Sequence, residues 1–367
     1  MRRVGRAELY LVEGGVPHYG EMVMLGGEIT RLIVKDFGAN FFVERLADPY
    51  WLSCLSCVLG FEWDTSGQTT VTLMALKEAL SNRSLGVGIA GGKGRLMIRV
   101  RDEIRQMLGK LGRTDMAEPL ERASALSCKI DNNALQDSYN VYFHAVAVSA
   151  DGSSAVINQG MNTDLRLARR YQWLCSEIDV EEPHNAISSA QKEQVVLDLT
   201  SKESRQCRAC MLDILGDTPI QGLQSDLERA GVILSGQATL DAESQSQVFK
   251  IPPHLRPPKR FNEKIIRKAK QHAEDFESLL LHGGVGPSTL RGLAYISELV
   301  YGAAPSWRDP ARFAFAFGTK SGKPFMVERR AMREAAETLR IVVEGSSSEA
   351  SRLALRRLSG LLELLEV

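Results

Sequence analysis

The sequence predicts an α/β (α+β) N-terminal region followed by a separate all-α C-terminal domain. Three observations support this. Residues 139–148 and 155–159 alternate apolar and polar side chains across Ala150-Asp151-Gly152, the pattern of a β-hairpin. Much of the remaining chain repeats its apolar residues at helical spacing. Between residues 251 and 258 the run Ile251-Pro252-Pro253-His254-Leu255-Arg256-Pro257-Pro258 excludes helix and favours an extended, stiff linker. The 367 residues suggest two or three domains. We place an α/β core at 1–250, divisible into 1–127 and 128–250, a linker at 251–258 and a helical domain at 259–367.

The elements read in order as follows. Residues 7–12 resemble a short strand. Residues 19–37 are helical, with an interruption expected at Gly26-Gly27. Short helices follow at 41–46 and 50–58, separated by Asp48-Pro49. Residues 60–70 are polar and irregular, and 71–80 form an amphipathic helix. Residues 85–90 read as a buried strand before Gly91-Gly92-Lys93-Gly94, and 100–111 as a helix. After the hairpin, 165–176 reads as helix, 195–199 as strand, and 202–215 as a helix started by Thr200 and Ser201. Residues 237–247 are polar and loop-like. The Leu-rich end, 351–365, reads as a helix packed on its own domain.

Formal net charge is zero, with 45 basic and 45 acidic residues. Any polyanion must therefore be met by local basic patches rather than by a global field. The start, Met1-Arg2-Arg3-Val4-Gly5-Arg6, is charged and has no apolar core of signal-peptide length behind it. No stretch approaches the ~18 uninterrupted apolar residues of a membrane helix. We therefore read the protein as cytoplasmic, with no membrane partner. Cys54/Cys57 and Cys207/Cys210 form two C-x-x-C pairs on helical patterns, without Gly-rich knuckles. They read as small buried hydrophobes, which argues against zinc.

The stretch Leu281-His282-Gly283-Gly284-Val285-Gly286-Pro287-Ser288-Thr289-Leu290-Arg291 is the most informative of the chain. One helix ends at glycines and the next starts at Pro287. A glycine turn before a helix N-terminus presents backbone N–H groups and a positive dipole end, a ready phosphate site. The stretch resembles a helix-hairpin-helix turn, which grips a nucleic-acid backbone without reading sequence. Gly284, Val285, Gly286, Ser288, Thr289 and Arg291 are its candidate contacts. Lys259, Arg260 and Lys264 stand in a basic run just upstream, and Arg169-Arg170 form a further basic pair. DNA is the expected partner.

The chain as a whole resembles the mainly archaeal family catalogued as domain of unknown function 763. The resemblance rests on residues 61–71, on Gly91-Gly92-Lys93-Gly94, and on Lys129-Ile130-Asp131-Asn132-Asn133-Ala134-Leu135-Gln136-Asp137. It continues through Asn158-Gln159-Gly160-Met161-Asn162, Ala168-Arg169-Arg170-Tyr171-Gln172-Trp173, Glu182-Pro183-His184, the glycine turn and residues 301–313. The resemblance implies no activity. The chain departs from the family pattern at Asp64 and Gln172, where the family usually has histidine, and around Val16-Pro17-His18. The C-x-x-C pairs are not family features.

Polar residues in ordered segments supply the candidate chemistry. Lys129, Asp131, Asp137, His144, Glu182 and His184 are the candidate catalytic set. Asp131, Asp137 and Glu182 are the candidate ligands for Mg²⁺ or Mn²⁺, which prefer oxygen donors. Such an ion activates water and stabilises charge on a phosphate. The same aspartates also suit turn and cap positions. The hydroxyl-rich residues 64–70 and the glycines at 91–94 suit either a phosphate cradle or ordinary helix and strand ends. The function read from the sequence is DNA binding in repair or processing, with metal-dependent phosphodiester cleavage. The alternatives are a non-catalytic DNA-binding or scaffold protein and a monofunctional glycosylase using Asp309.

Overall fold

The computed structural model describes residues 3–5, 18–60, 66–81, 83–175, 179–189, 191–243, 251–311, 329–344 and 352–359. The strand read at 7–12 lies outside them. After β1 (Arg3–Gly5) come α1 (Tyr19–Phe37), α2 (Ala39–Leu46), α3 (Pro49–Val58) and α4 (Gly67–Ser81). Asp48 starts α3 as its sequence suggests: its side chain accepts from the N–H groups of Tyr50 (2.9 Å) and Trp51 (3.2 Å), with Pro49 at the first helical position. The Gly26-Gly27 pair does not interrupt α1. A β-carbon at Gly26 would lie 3.1 Å from Leu76 Cδ2, so the glycine lets α4 pack close.

The chain continues through β2 (Val87–Lys93), α5 (Arg95–Ile98), α6 (Val100–Leu111) and α7 (Ala117–Lys129). One π-turn (Ile130–Ala134) leads to β3 (Leu135–Gln136), then to the hairpin β4 (Asn140–Ser149) and β5 (Ser154–Asn162). Next are β6 (Leu167–Leu174), β7 (Ala186–Ser189), β8 (Leu197–Asp198), α8 (Arg205–Asp217) and α9 (Ile220–Glu243). Beyond residue 250 follow α10 (Glu263–Lys270), α11 (Phe276–His282), α12 (Pro287–Leu299) and α13 (Arg329–Glu344).

Six strands form one sheet in the order β1-β7-β6-β5-β4-β2, antiparallel except for the β1–β7 pair. Both faces are covered. Phe143, Ala145, Ala147, Ala155 and Ile157 pack on α1–α4. Val146, Val148, Val156, Tyr171 and Trp173 pack on the opposite side with α6–α12. The fold is thus mixed α/β.

Three local expectations are corrected. Residues 167–174 form β6 and not a helix. A strand covered on both faces loses alternation, and Leu, Ala, Arg and Gln favour helix in isolation. Residues 237–243 belong to α9 and not to a loop. Gly91-Gly92-Lys93 lie inside β2 and so form no phosphate loop.

The helices after the proline run divide between the two faces. Leu255, Phe261, Ile266, Leu279, Val285 and Leu293 join the cluster on the α6–α9 side. Leu339, Val342, Val343, Ala354 and Leu358 join the α1–α4 side. A separate all-α C-terminal domain is therefore not established. A β-carbon at Gly292 of α12 would lie 2.6 Å from the Phe261 ring and 3.1 Å from Pro258 Cγ, so this glycine seats the proline run on the helix. Residues 352–359 are helical, and Arg357 donates to the Val58 carbonyl at 3.0 Å. Among the described residues no helix is long and apolar enough to cross a membrane.

Candidate functional site

The sheet face toward α7–α12 carries two adjoining buried polar networks, positioned by strand alternation. The first joins Asp131, in the π-turn, to His144 (β4), Asn158 (β5) and Trp173 (β6). Asp131 accepts from His184 Nε2 (2.5 Å), Asn158 Nδ2 (2.7 Å) and Trp173 Nε1 (3.2 Å). Asn158 Oδ1 then accepts from His144 Nδ1 (2.5 Å), so His144 Nε2 accepts a hydrogen bond from the Ser124 hydroxyl (2.7 Å). This is a neutral imidazole, and burial pushes the His144 pKa down. Burial also pushes the neighbouring Cys128 thiol up to about 12, so the Cys128–His144 contact is no thiolate–imidazolium pair. His184 Nδ1 is buried and has no hydrogen-bond partner among the described residues.

The second network centres on Arg169. Its Nη1 donates to Asp137 (2.8 Å) and Asp309 (3.1 Å), Nη2 to Asp309 (2.8 Å) and the Gln191 carbonyl (3.3 Å), and Nε to Ser189 (3.1 Å). Its guanidinium lies 4.6 Å from the centre of the Tyr139 ring. Asp137 also accepts from the Tyr171 hydroxyl (2.7 Å) and the Tyr139 N–H (3.1 Å). Asp309 accepts from the N–H groups of Glu193 (2.7 Å) and Ala311 (2.9 Å).

Burial pushes Asp137 up to about 6, against the downward pull of Arg169 and with Asp309 adding like charge. The unfolded carboxyl titrates near 4. Between about 4 and about 6 the folded state therefore holds more protons, and this group's contribution to stability is lost as pH rises through that window. Urea unfolding of Asp137→Asn and wild type should show the difference moving in the variant's favour as pH climbs across the window. A constant difference, or movement the other way, would show that Arg169 dominates.

The glycine turn lies beside these networks. Asn133 Nδ2 donates to the Val285 carbonyl (3.2 Å) and Gln136 Nε2 to the Pro287 carbonyl (2.8 Å). Arg291 bridges Gln136 Oε1 (2.6 Å) and the Arg256 carbonyl (2.7 Å). The segment that carries Asp131 thus also braces the turn. Gly284 has φ +69°, and Lys268 of α10 lies across it: a β-carbon there would be 3.3 Å from Lys268 Cδ and 3.8 Å from its Nζ. Gly286 caps α12 in an extended conformation with no side-chain hydrogen bond. The first helical bond of α12 runs from Leu290 N–H to the Gly286 carbonyl (3.1 Å), leaving the Ser288 and Thr289 amides ahead of it. Gly284, Pro287 and Ser288 are exposed. A polar cleft of about 770 Å³ opens here, lined by Gln136, Asp137, Asn162, Lys192, Pro287 and Arg291 among others.

The structure brings Asp131, His144 and His184 together and sets Asp137 in the adjoining network. Lys129 sits half-buried at the end of α7. Glu182 lies apart, 3.9 Å from Lys202 at the surface side. Asp131 and Asp137 each already accept three hydrogen bonds, and among the described residues no group of three His, Cys, Asp or Glu is placed to hold a metal ion. The expected ligand trio of Asp131, Asp137 and Glu182 does not converge. Lys259, Arg260 and Lys264 are exposed and Arg291 half-buried, but Arg169 and Arg170 are fully buried and offer no surface. Arg170 faces the other side of the sheet, donating to Ser53 Oγ (3.0 Å) and the Pro49 carbonyl (3.1 Å). Gln172 donates to the Leu46 carbonyl (2.7 Å), and Gln159 to the Ser66 carbonyl (3.0 Å). The described part of the hydroxyl-rich stretch, Ser66 to Thr70, thus ties α4 to the sheet, while residues 61–65 lie outside the described residues. Cys54 and Cys207 belong to the cores on opposite faces of the sheet.

Sequence reasoning missed Asn133, Gln136, Asn158 and Trp173 as partners in these hydrogen-bond networks, although all four stand in the blocks that carry the family resemblance. These features define a mixed α/β protein with a two-sided sheet and a braced glycine turn at the rim of a polar cleft. The chain belongs to the family described as Protein of unknown function (DUF763), whose model matches residues 5–327. No curated protein and no solved structure matches it.

Proposed function

We propose that this protein binds DNA through the phosphate backbone at the turn between α11 and α12. One observation carries the reading: the amides of the exposed Ser288 and the buried Thr289 stand ahead of the first helical bond of α12 and adjoin a glycine turn that Lys268 crosses. Amides, dipole and ammonium group all favour a phosphate there. Lys264 and Arg267 extend the basic face along α10. Contact with backbone alone serves a protein that meets many sequences, as repair or processing in the cytoplasm requires. The geometry favours binding over cleavage, because the carboxylates expected to hold Mg²⁺ or Mn²⁺ are engaged elsewhere. Asp309 is likewise committed to Arg169 and two backbone amides.

Gly286→Asp tests this cleanly. The backbone there is extended and a β-carbon meets nothing within 4 Å, so the fold tolerates it. An aspartate caps the amides itself, which stabilises the helix while repelling phosphate. We expect thermal stability equal to or above wild type and duplex affinity at least about tenfold lower at low salt, read by fluorescence anisotropy. Unchanged affinity would rule out the turn as the contact. Parallel incubations with single-stranded, duplex and branched DNA, with Mg²⁺, Mn²⁺ or chelator, separate the other readings. Metal-dependent cutting lost in a folded Asp131→Ala variant would establish a nuclease, and abasic product without cutting a glycosylase.

A further inference from the structure

β2 ends the six-stranded sheet on the side away from β1. The Gly86 carbonyl accepts from Ala150 N–H (2.7 Å), in register with the β2–β4 pairing. Antiparallel alternation then turns Gly88 and Ala90 toward β4, and Val87, Ile89 and Gly91 outward. Gly91 confirms this parity. Its N–H donates to Glu103 Oε2 (2.7 Å), its carbonyl accepts from Lys77 Nζ (2.7 Å), and these two side chains pair at 2.6 Å. Lys77 and Glu103 thus do at Gly91 what a neighbouring strand would do.

The outward N–H and C=O of Val87 and of Ile89 have no such substitute among the described residues. The two residues, 3% and 8% exposed, lie along a groove of about 740 Å³ between α4 and α6, with Leu80 and Met107 on its walls. Gly88 carries no side chain into it; a β-carbon there would be 2.5 Å from Met107 Cγ. Lys77 and Glu103 neutralise each other, which leaves two exposed cations to set the groove's charge: Lys110, and Arg83, whose guanidinium lies beside Gly27 of α1, where a β-carbon would be 2.7 Å from its Cζ. An edge of unpaired backbone groups is a template for another strand.

We infer that this edge receives an extended acidic segment of a partner protein, which adds as a strand beside β2. Backbone groups of Val87 and Ile89 supply affinity, Arg83 and Lys110 select acidic side chains, and the Lys77–Glu103 pair ends the register at Gly91. A second copy of this chain fits less well, because edge-to-edge pairing sets Arg83 and Lys110 against themselves. The inference is independent of the DNA reading.

The test uses the full chain and a short fluorescent peptide alternating glutamate with valine. We expect binding, with the Val87 and Ile89 amides becoming protected from hydrogen exchange. A lysine–valine peptide should bind at least about tenfold more weakly. Two further acidic peptides carry N-methyl groups on one or the other alternate set of amides. Methylating the set that faces β2 should weaken binding about tenfold or more, and methylating the other set should change little. The Arg83→Glu, Lys110→Glu double variant, with its circular dichroism unchanged, should lose the acidic preference. Absence of binding, equal loss from both methylated sets, or a dimer in sedimentation that protects the β2 amides without peptide would each overturn the inference.

Discussion

Replacing Arg169 with methionine should destabilise the protein by about 3–5 kcal/mol, the cost of breaking a buried ion pair from one side. Arg169 is fully buried, and its guanidinium donates to two carboxylates, a carbonyl and a hydroxyl. Methionine leaves Asp137 and Asp309 facing each other across an apolar gap, and one of them must take up a proton. Lysine is no substitute, because an ammonium group lacks the planar fork that serves both carboxylates. The damage should spread to the cleft, since Asp309 also holds the Glu193 amide and Tyr139 donates to Glu193 Oε1 (3.0 Å). Urea unfolding gives the measurement. A loss below about 1 kcal/mol would mean that the charges are solvated rather than paired.

Gly91→Ala should cost about 3 kcal/mol or more. Its φ is +95°, a conformation that side chains rarely adopt, and the added carbon would stand 2.2 Å from the His144 carbonyl oxygen. Backbone strain and overpacking each contribute about 1–3 kcal/mol, and this contact is with backbone that cannot swing aside. The same change at Gly109, on α6, meets nothing within 4 Å and should stabilise by about 0.5–1 kcal/mol, since alanine favours helix. Thermal unfolding of both variants compares the two signs directly. A neutral Gly91→Ala would show that β2 can withdraw from β4.

Legibility followed locality. Asp48-Pro49, the Ala150-Asp151-Gly152 turn and the Gly283 to Pro287 stretch announce their local structure through neighbours in sequence: a helix start, a hairpin turn, and a helix end followed by a new helix at Pro287. β6 was misread because its two arginines look like a solvated helix face. They are tolerated in a strand only because Asp309, 140 residues away, and the Pro49 carbonyl, 121 residues away, meet them. No local pattern carries that information. The site was partly legible for the same reason. Asp131, His144 and His184 were singled out as chemistry-bearing types, but Asn158, which links two of them, became visible only through the β4–β5 register. The glycines at 91 and 92 suggested a ligand loop, whereas the crowding they relieve comes from β4 and from the helices beside it.

The salt dependence of DNA affinity tests the central claim most directly, compared between wild type and Lys268→Ala. Each neutralised phosphate contributes a slope of about −0.9 in log affinity against log salt. If Lys268 and the α12 amides hold the backbone, wild type should bind duplexes of unrelated sequence alike with a steep slope. The variant should then bind more weakly with a slope shallower by about one. Identical slopes for the two proteins, or affinity indifferent to salt, would contradict a phosphate contact at this turn.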